Sequence, residues 1–299
     1  MSLQWANAQV TGEVNVMDND FFYIQYLQQN EFLEGVKYQK GTARFSFPML
    51  RREKFSVFSS LGFDSHDFNF EDTQTLGSTN DLERFYNANI STVLQYKLSD
   101  KWSINAVLSP FLISNFEGGI SSDNFNFNGN AFVERTFIRK NGGYYLLGFG
   151  IGYMTLNGTT QVTPITQLKA RLNEKWSFVL GLPNAYLKWD FHEKNSLKLL
   201  GDLNDFTAKL NTDSGLLNDG ATEELVFTTI SGGIEYNFWF TDSFGLMVKG
   251  TYPVWGNYEL RDGDGNMTVD FDADFNQPFF SLGIKFNPIR KLQNSLRKP

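Results

Sequence analysis

Leu98-Ser99-Asp100-Lys101-Trp102-Ser103 and Leu172-Asn173-Glu174-Lys175-Trp176-Ser177 are one phrase written twice. An apolar residue leads into a polar turn that holds an acid, and a bulky residue restarts an apolar rhythm. Looser copies are Phe191-His192-Glu193-Lys194-Asn195-Ser196, Phe240-Thr241-Asp242-Ser243-Phe244-Gly245 and Arg52-Glu53-Lys54-Phe55-Ser56. On both sides of each copy the apolar rhythm has period two, which sends successive side chains to opposite faces of a strand. Each copy therefore reads as a tight hairpin turn. Turns of one chemistry between alternating strands are the pattern of a transmembrane β-barrel.

Composition agrees. Of 299 residues, 16% are aromatic, with 30 Phe and 12 Tyr, yet the mean hydropathy is −0.32. No apolar run is long enough for a spanning helix. Rich in rings but polar on average is what a barrel needs, because half of each strand meets lipid and half meets water. The absence of Cys excludes disulfide scaffolds and thiolate metal sites. A formal charge of −7 argues against a nucleic-acid partner.

The clearest strand carries Ile90, Leu94, Tyr96 and Leu98 on one face and Ser91, Gln95 and Lys97 on the other. It reverses into Trp102, Ile104, Ala106 and Leu108, opposite Ser103 and Asn105. A first strand is expected over residues 10–17, with loops over 18–34 and 64–84. Tyr145, Leu147, Phe149, Ile151 and Tyr153 alternate with Gly148, Gly150 and Gly152, a row that bends the sheet or leaves room for a bulky group. Phe280, Leu282, Ile284 and Phe286 form the closing strand. Short turns near 52, 99, 141, 174, 193 and 242 join about twelve strands, and one more at each end makes about fourteen. The expected fold is thus all-β: a closed antiparallel transmembrane barrel with short periplasmic turns, long extracellular loops and periplasmic termini. Trp102, Trp176 and Tyr144 are placed in the periplasmic aromatic girdle. Residues 1–8 read as a signal-peptide remnant around Ala6-Asn7-Ala8, residues 9–287 as the barrel, and 288–299 as a basic periplasmic tail.

The repeated turns, the aromatic strand starts and the closing strand resemble Gram-negative outer-membrane β-barrel proteins. Trp176-Ser177-Phe178-Val179-Leu180-Gly181-Leu182-Pro183, followed by Tyr186 and Trp189, resembles a family of such barrels with no assigned function. The resemblance implies a bacterial outer-membrane location. It also implies outer-membrane lipid, lipopolysaccharide and the barrel-assembly machinery as partners. Barrels of this kind often end on an aromatic that the machinery reads, whereas here residues 287–299 follow Phe286.

Candidate chemistry is sparse. Arg44, Lys97, Lys169, Arg171, Lys188, Lys249 and Lys285 fall on the inward set, against Glu13, Asp190 and Glu235. A basic lining favours anions, and cross-wall pairing that plugs the lumen is the alternative. Asp262, Asp264 and Asn266 have the oxygen spacing of a calcium loop, and Asp270, Asp272 and Asp274 offer further ligands. Met267 stands where such a loop needs glycine, so a solvated hairpin tip competes with calcium, and no other cofactor is implied. His66 with Ser65 or Ser59 is the single seed of a hydrolytic pair, and Ser65 points to the opposite face. The expectation is a narrow pore for small polar or anionic solutes rather than an enzyme. The alternatives are a structural or accessory subunit of an envelope complex and a membrane-embedded lipid-modifying enzyme.

Overall fold

The computed structural model describes residues 20–33, 36–70, 80–116, 119–139, 143–181, 184–210, 222–270 and 277–290. The strand expected over 10–17, the tail beyond 290 and the acids Glu13, Asp272 and Asp274 lie outside them. The strands are β1 (Phe22–Leu33), β2 (Val36–Arg51), β3 (Phe55–Phe70), β4 (Arg84–Lys97), β5 (Trp102–Ser114), β6 (Phe125–Ile138) and β7 (Tyr144–Leu156), followed by β8 (Thr159–Arg171), β9 (Trp176–Leu180), β10 (Asn184–His192), β11 (Asn195–Lys209), β12 (Glu224–Trp239), β13 (Phe244–Arg261), β14 (Met267–Asp270) and β15 (Phe279–Phe286). A single helical turn, α1 (Asn80–Glu83), precedes β4.

All fifteen join one sheet, in which each strand from β1 to β13 pairs antiparallel with the next. β15 bridges β1 and β13, as Phe22 opposite Phe286 and Phe244 opposite Phe286 show. With β14 a short hairpin on β13 outside the ring, fourteen strands close. Closure has a plain cause. Hydrocarbon offers no hydrogen-bond partner, so a sheet within it must have no open edge.

The alternation of outward and inward residues holds through the middle of the wall. Ile90, Tyr96 and Leu98 face out and are exposed, whereas Gln95 and Asn105 face in and are buried. Phe149, Ile151 and Tyr153 face out opposite the glycine row. A Cβ at Gly150 would lie 2.1 Å from the Ala131 carbonyl, so that glycine serves close strand approach.

The turns at 52–54, 98–101, 172–175, 193–194 and 240–243 gather at one end, here the turn end. Each of the two matching phrases is held by its first polar side chain: Ser99 Oγ accepts from Trp102 N, and Asn173 Oδ1 from Trp176 N. Trp102 and Trp176 take their expected outward places in the girdle, where Trp189, not expected there, stacks on Trp176 with centroids 5.6 Å apart. Tyr144 does not belong to it. That ring is buried inside and Tyr145 takes the outward place, because the strand begins one residue out of phase with the girdle. Glu134 points inward, and Arg135 points outward with its guanidinium 5.1 Å from the Trp102 ring and 4.8 Å from Phe137. A cation at the belt is stabilised by the ring faces while its head stays wet.

At the opposite, loop end, two expected loops are strand. β1 occupies most of 18–34, and β3 and β4 take both ends of 64–84. Gln25 and Gln29 of β1 and Asp64 and His66 of β3 face inward, which a barrel tolerates and a soluble core does not. Connections at this end are long after β3, β5, β11 and β14 but tight after β7 and β9. Asn157 and Gly158 turn β7 into β8 with φ of 50° and 75°, the left-handed pair that a two-residue hairpin requires.

Candidate functional site

The inside of the barrel has two unlike halves. At the loop end, inward residues of opposite walls meet in an apolar plug. Tyr38, Phe68, Phe85, Phe206, Phe227 and Tyr258 are its rings, with Leu82 of α1, Leu225 and Leu260 around them. Phe206 of β11 stands 5.4 Å from Phe85 of β4, centroid to centroid, and 4.2 Å from the ring of His66 on β3. Tyr38 of β2 lies 5.1 Å from Phe227 of β12. These strands are far apart around the ring, so the contacts cross the lumen. The wall is drawn in to the same extent: Ser114 Oγ of β5 donates to the Lys209 carbonyl of β11.

His66 belongs to this plug. It is buried, with Nδ1 2.8 Å from the Tyr38 hydroxyl. Ser65 lies on the outward register and donates to Asp67, away from the ring. Beneath the plug, Lys40 of β2 reaches across to Asn204 of β11 (3.3 Å) and stands 3.9 Å from Asp64.

Towards the turn end the interior is charged. Inward residues of six successive strands fall in register as Arg171, Ser177, Lys188, Lys198, Glu235 and Lys249. One acid thus stands among four bases along one register row, which climbs the tilted wall rather than circling it at one height. Glu235 accepts from Lys198 and Lys285, each at 3.4 Å. Lys249 pairs with Asp202 at 2.8 Å, Lys188 with Asp190 at 3.3 Å, and Lys285 also with Asp20 at 3.4 Å. Arg44, Lys97 and Lys169 occupy the inward register of β2, β4 and β8. Arg44 lies 5.9 Å over the Tyr23 ring, and its buried Nε has no hydrogen-bond partner among the described residues. Opposite charges therefore pair within this lining, while bases predominate in the row.

Lys198, central to the row, and Glu134, bound by Asn105 Nδ2 at 2.6 Å, were not singled out from the sequence. The run Leu197-Lys198-Leu199-Leu200 hides the first, because Leu200 also faces inward and breaks the alternation.

Asp262, Asp264 and Asn266 sit in the tight turn between β13 and β14. The Asp262 carboxylate accepts from the backbone N–H of Asp264 (3.0 Å) and of Asn266 (2.8 Å), and from Asn266 Nδ2 (3.1 Å). These bonds hold its carboxyl below the usual range, the Asn266 amide foremost. No group of three or more acidic or histidine side chains is poised to hold a metal ion among the described residues.

The seventh hairpin supplies the remaining polar assembly. Its tip crosses to the outward register of β11, β12 and β13. Asn157 N donates to Asp205 Oδ1 (3.1 Å), Asn257 Nδ2 to Asn157 Oδ1 (3.0 Å), and Arg261 Nη2 to the Asn157 carbonyl (3.1 Å). Thr228 donates to the same Asp205, and Arg261 pairs with Glu259.

Among curated protein sequences none matches this chain. Among solved structures the barrel is similar to the NanC porin, with TM-score 0.40 and 9% identity over 89% of this chain and 99% of that one. It is similar to outer membrane phospholipase A from Escherichia coli, with TM-score 0.41 and 10% identity over 94% and 98%. A Pseudomonas aeruginosa FadL homologue gives TM-score 0.39 and 8% identity over 89% and 88%. The likeness is one of barrel fold alone. A family model described as a domain of unknown function, DUF6268, matches residues 58–287, and the chain belongs to that family.

Proposed function

We propose that this barrel is a gated conduit of the bacterial outer membrane that favours small anionic solutes and is closed at its loop end. The observation that carries the reading is the in-register row of Arg171, Lys188, Lys198 and Lys249 around the single Glu235. Rings of basic groups raise the local concentration of anions and lower their barrier to passage. The plug supplies the gate, since an apolar constriction excludes water and with it the ions that water carries. The short turns and both ends of the ring then face the periplasm, as in other bacterial barrels. Outer-membrane lipid surrounds the wall, lipopolysaccharide borders the loop end, and the barrel-assembly machinery inserts the chain. The reading invokes no cofactor and no enzymatic step. His66 acts as a polar joint within the plug, where its ring stacks on Phe206.

Planar bilayers under a potassium chloride gradient test this. Single channels with a reversal potential on the chloride side are expected, and Lys198→Glu with Lys188→Glu should move it towards potassium. Potassium selectivity in the unaltered chain, or no channel from a barrel whose plug has been opened by Phe206→Ala, overturns the proposal.

A further inference from the structure

The wall is not equally tall all round. β9 has 5 residues and β10 has 9, and only residues 181–183 join them. A spanning strand needs about 9–11 residues. Starting from the girdle at Trp176, β9 climbs only about 10 Å along the membrane normal, given roughly 3.3 Å per residue and a tilt near 40°. The apolar band is about 25 Å tall, so this hairpin ends inside it. Above the hairpin, β8 and β11 face each other across a gap. Residues 159–167 of β8 and 203–208 of β11 have no ladder partner on the facing side among the described residues. Pro164 removes one donor from that bare edge. The remaining groups are costly to leave against hydrocarbon. At its upper end the gap is crossed by side-chain hydrogen bonds centred on Asn157, rather than by a ladder.

Below the gap, on the membrane side, lies an open groove of about 470 Å³ lined by Phe178, Leu180, Ala185, Leu187, Leu199 and Gly201. Its volume falls in the roughly 300–1,000 Å³ range of small-ligand sites. A Cβ at Gly201 would meet nothing within 4 Å, so the floor is free. The groove is continuous with the lipid-facing surface, as the exposed Leu180 and Leu199 show. On the inner side of the same strands stand Lys188 and Lys198 of the basic row. A cationic interior, a break in the wall at mid-membrane and an apolar trench outside it thus follow one another, while the axial exit is filled by the plug.

We propose that the β8–β11 seam is a lateral portal for a single-chain anionic amphiphile, whose head group is held by the basic row and whose hydrocarbon chain lies through the seam into the groove at Gly201. The Asn157 latch closes the portal. The inference rests on the anion-conduit reading and narrows its substrate to a lipid-like anion.

Because the chain has no cysteine, a cross-link tests it without background. A Cβ at Gly158, carried at φ 75°, would lie 2.7 Å from Val226 Cγ2, within reach of a disulfide once the tip of the Arg261 side chain, 2.3 Å from the same point, moves aside. The full chain carrying Gly158→Cys and Val226→Cys is reconstituted into phosphatidylcholine vesicles. The probe is 11-(dansylamino)undecanoate, whose arrival is read by energy transfer from Trp176 and Trp189 in a chain that also carries Trp5→Phe, Trp102→Phe, Trp239→Phe and Trp255→Phe. Oxidation should slow uptake by about tenfold or more, and reduction should restore it. In a separate chain Gly201→Phe, which fills the trench, should slow it to a similar degree, and this variant serves if the cross-linked one misfolds. The uncharged amide of the probe should be taken up about tenfold more slowly than the acid. Uptake indifferent to both the cross-link and Gly201→Phe, or equal for acid and amide, overturns the portal. Chloride selectivity measured on the same protein separates the two readings: if it persists while the portal fails, the conduit stands, and if it is absent both fall.

Discussion

The β12–β13 hairpin and the β9–β10 hairpin start from the same turn end and stop at different heights. The first runs 16 and 18 residues, crosses the apolar band and continues beyond it. The second stops after 5 and 9. The surplus length of the tall wall allows the plug, since Phe227, Tyr258 and Leu260 lie on its last turns of alternation. The shortfall of the low wall leaves residues 159–167 of β8 and 203–208 of β11 without a ladder partner on the facing side among the described residues. Height, rather than strand number, thus separates a wall that seals from one that opens.

The largest test of that contrast is at the plug. Phe206 touches rings of β3 and β4 from the far side. Truncation to Ala should cost about 3–5 kcal/mol, as for other buried aromatics, in urea unfolding from lipid vesicles, and should raise conductance. A stable variant with unchanged conductance would show that the two walls do not depend on each other there.

The next effect compares the walls directly. Ile234 is outward and half exposed on the tall hairpin. Ile234→Arg should cost about 2–4 kcal/mol, the cost of a cation near mid-membrane. Leu180→Arg at the rim of the low wall should cost only about 0–1 kcal/mol, because its guanidinium reaches the polar seam, as a cation does near an interface. Equal costs in the same unfolding assay would mean that the low wall is sealed against lipid and the portal absent.

Much of this architecture was legible in local pattern. The turns at 98–101 and 172–175 and the strands β4 and β5 follow from period two, and the same period assigns Arg44, Lys97, Lys169, Arg171, Lys188, Glu235, Lys249 and Lys285 to the polar set of their strands. β1 did not, because Gln25 and Gln29 resemble a loop until a wet interior is allowed for. The end of β3 was hidden in the same way by Asp64 and His66. The plug was hidden by the opposite ambiguity: inward Phe68, Phe206 and Phe227 look like lipid-facing rings. The basic row and the short wall depend on which residues lie side by side on different strands. That is a property of register between distant segments, which no single window of sequence displays.

The smallest effect probes the seam itself. Asn157 donates through its backbone and accepts through its side chain and carbonyl, so Asn157→Gly, which keeps the positive φ that alanine would strain, deletes only the bond from Asn257 Nδ2. One hydrogen bond between neutral groups contributes about 1 kcal/mol. Unfolding from vesicles should therefore fall by about that amount or less, because Asn157 lies outside both the plug and the basic row. Hydrogen exchange should still respond, and only locally. The hairpin tip and the facing residues of β11 should exchange faster, while the amides of β12 near Ile234 stay protected, because local opening draws on local contacts. Faster exchange throughout β12 and β13 would show instead that the latch supports the tall wall, and the two hairpins would then have to be treated as one cooperative unit.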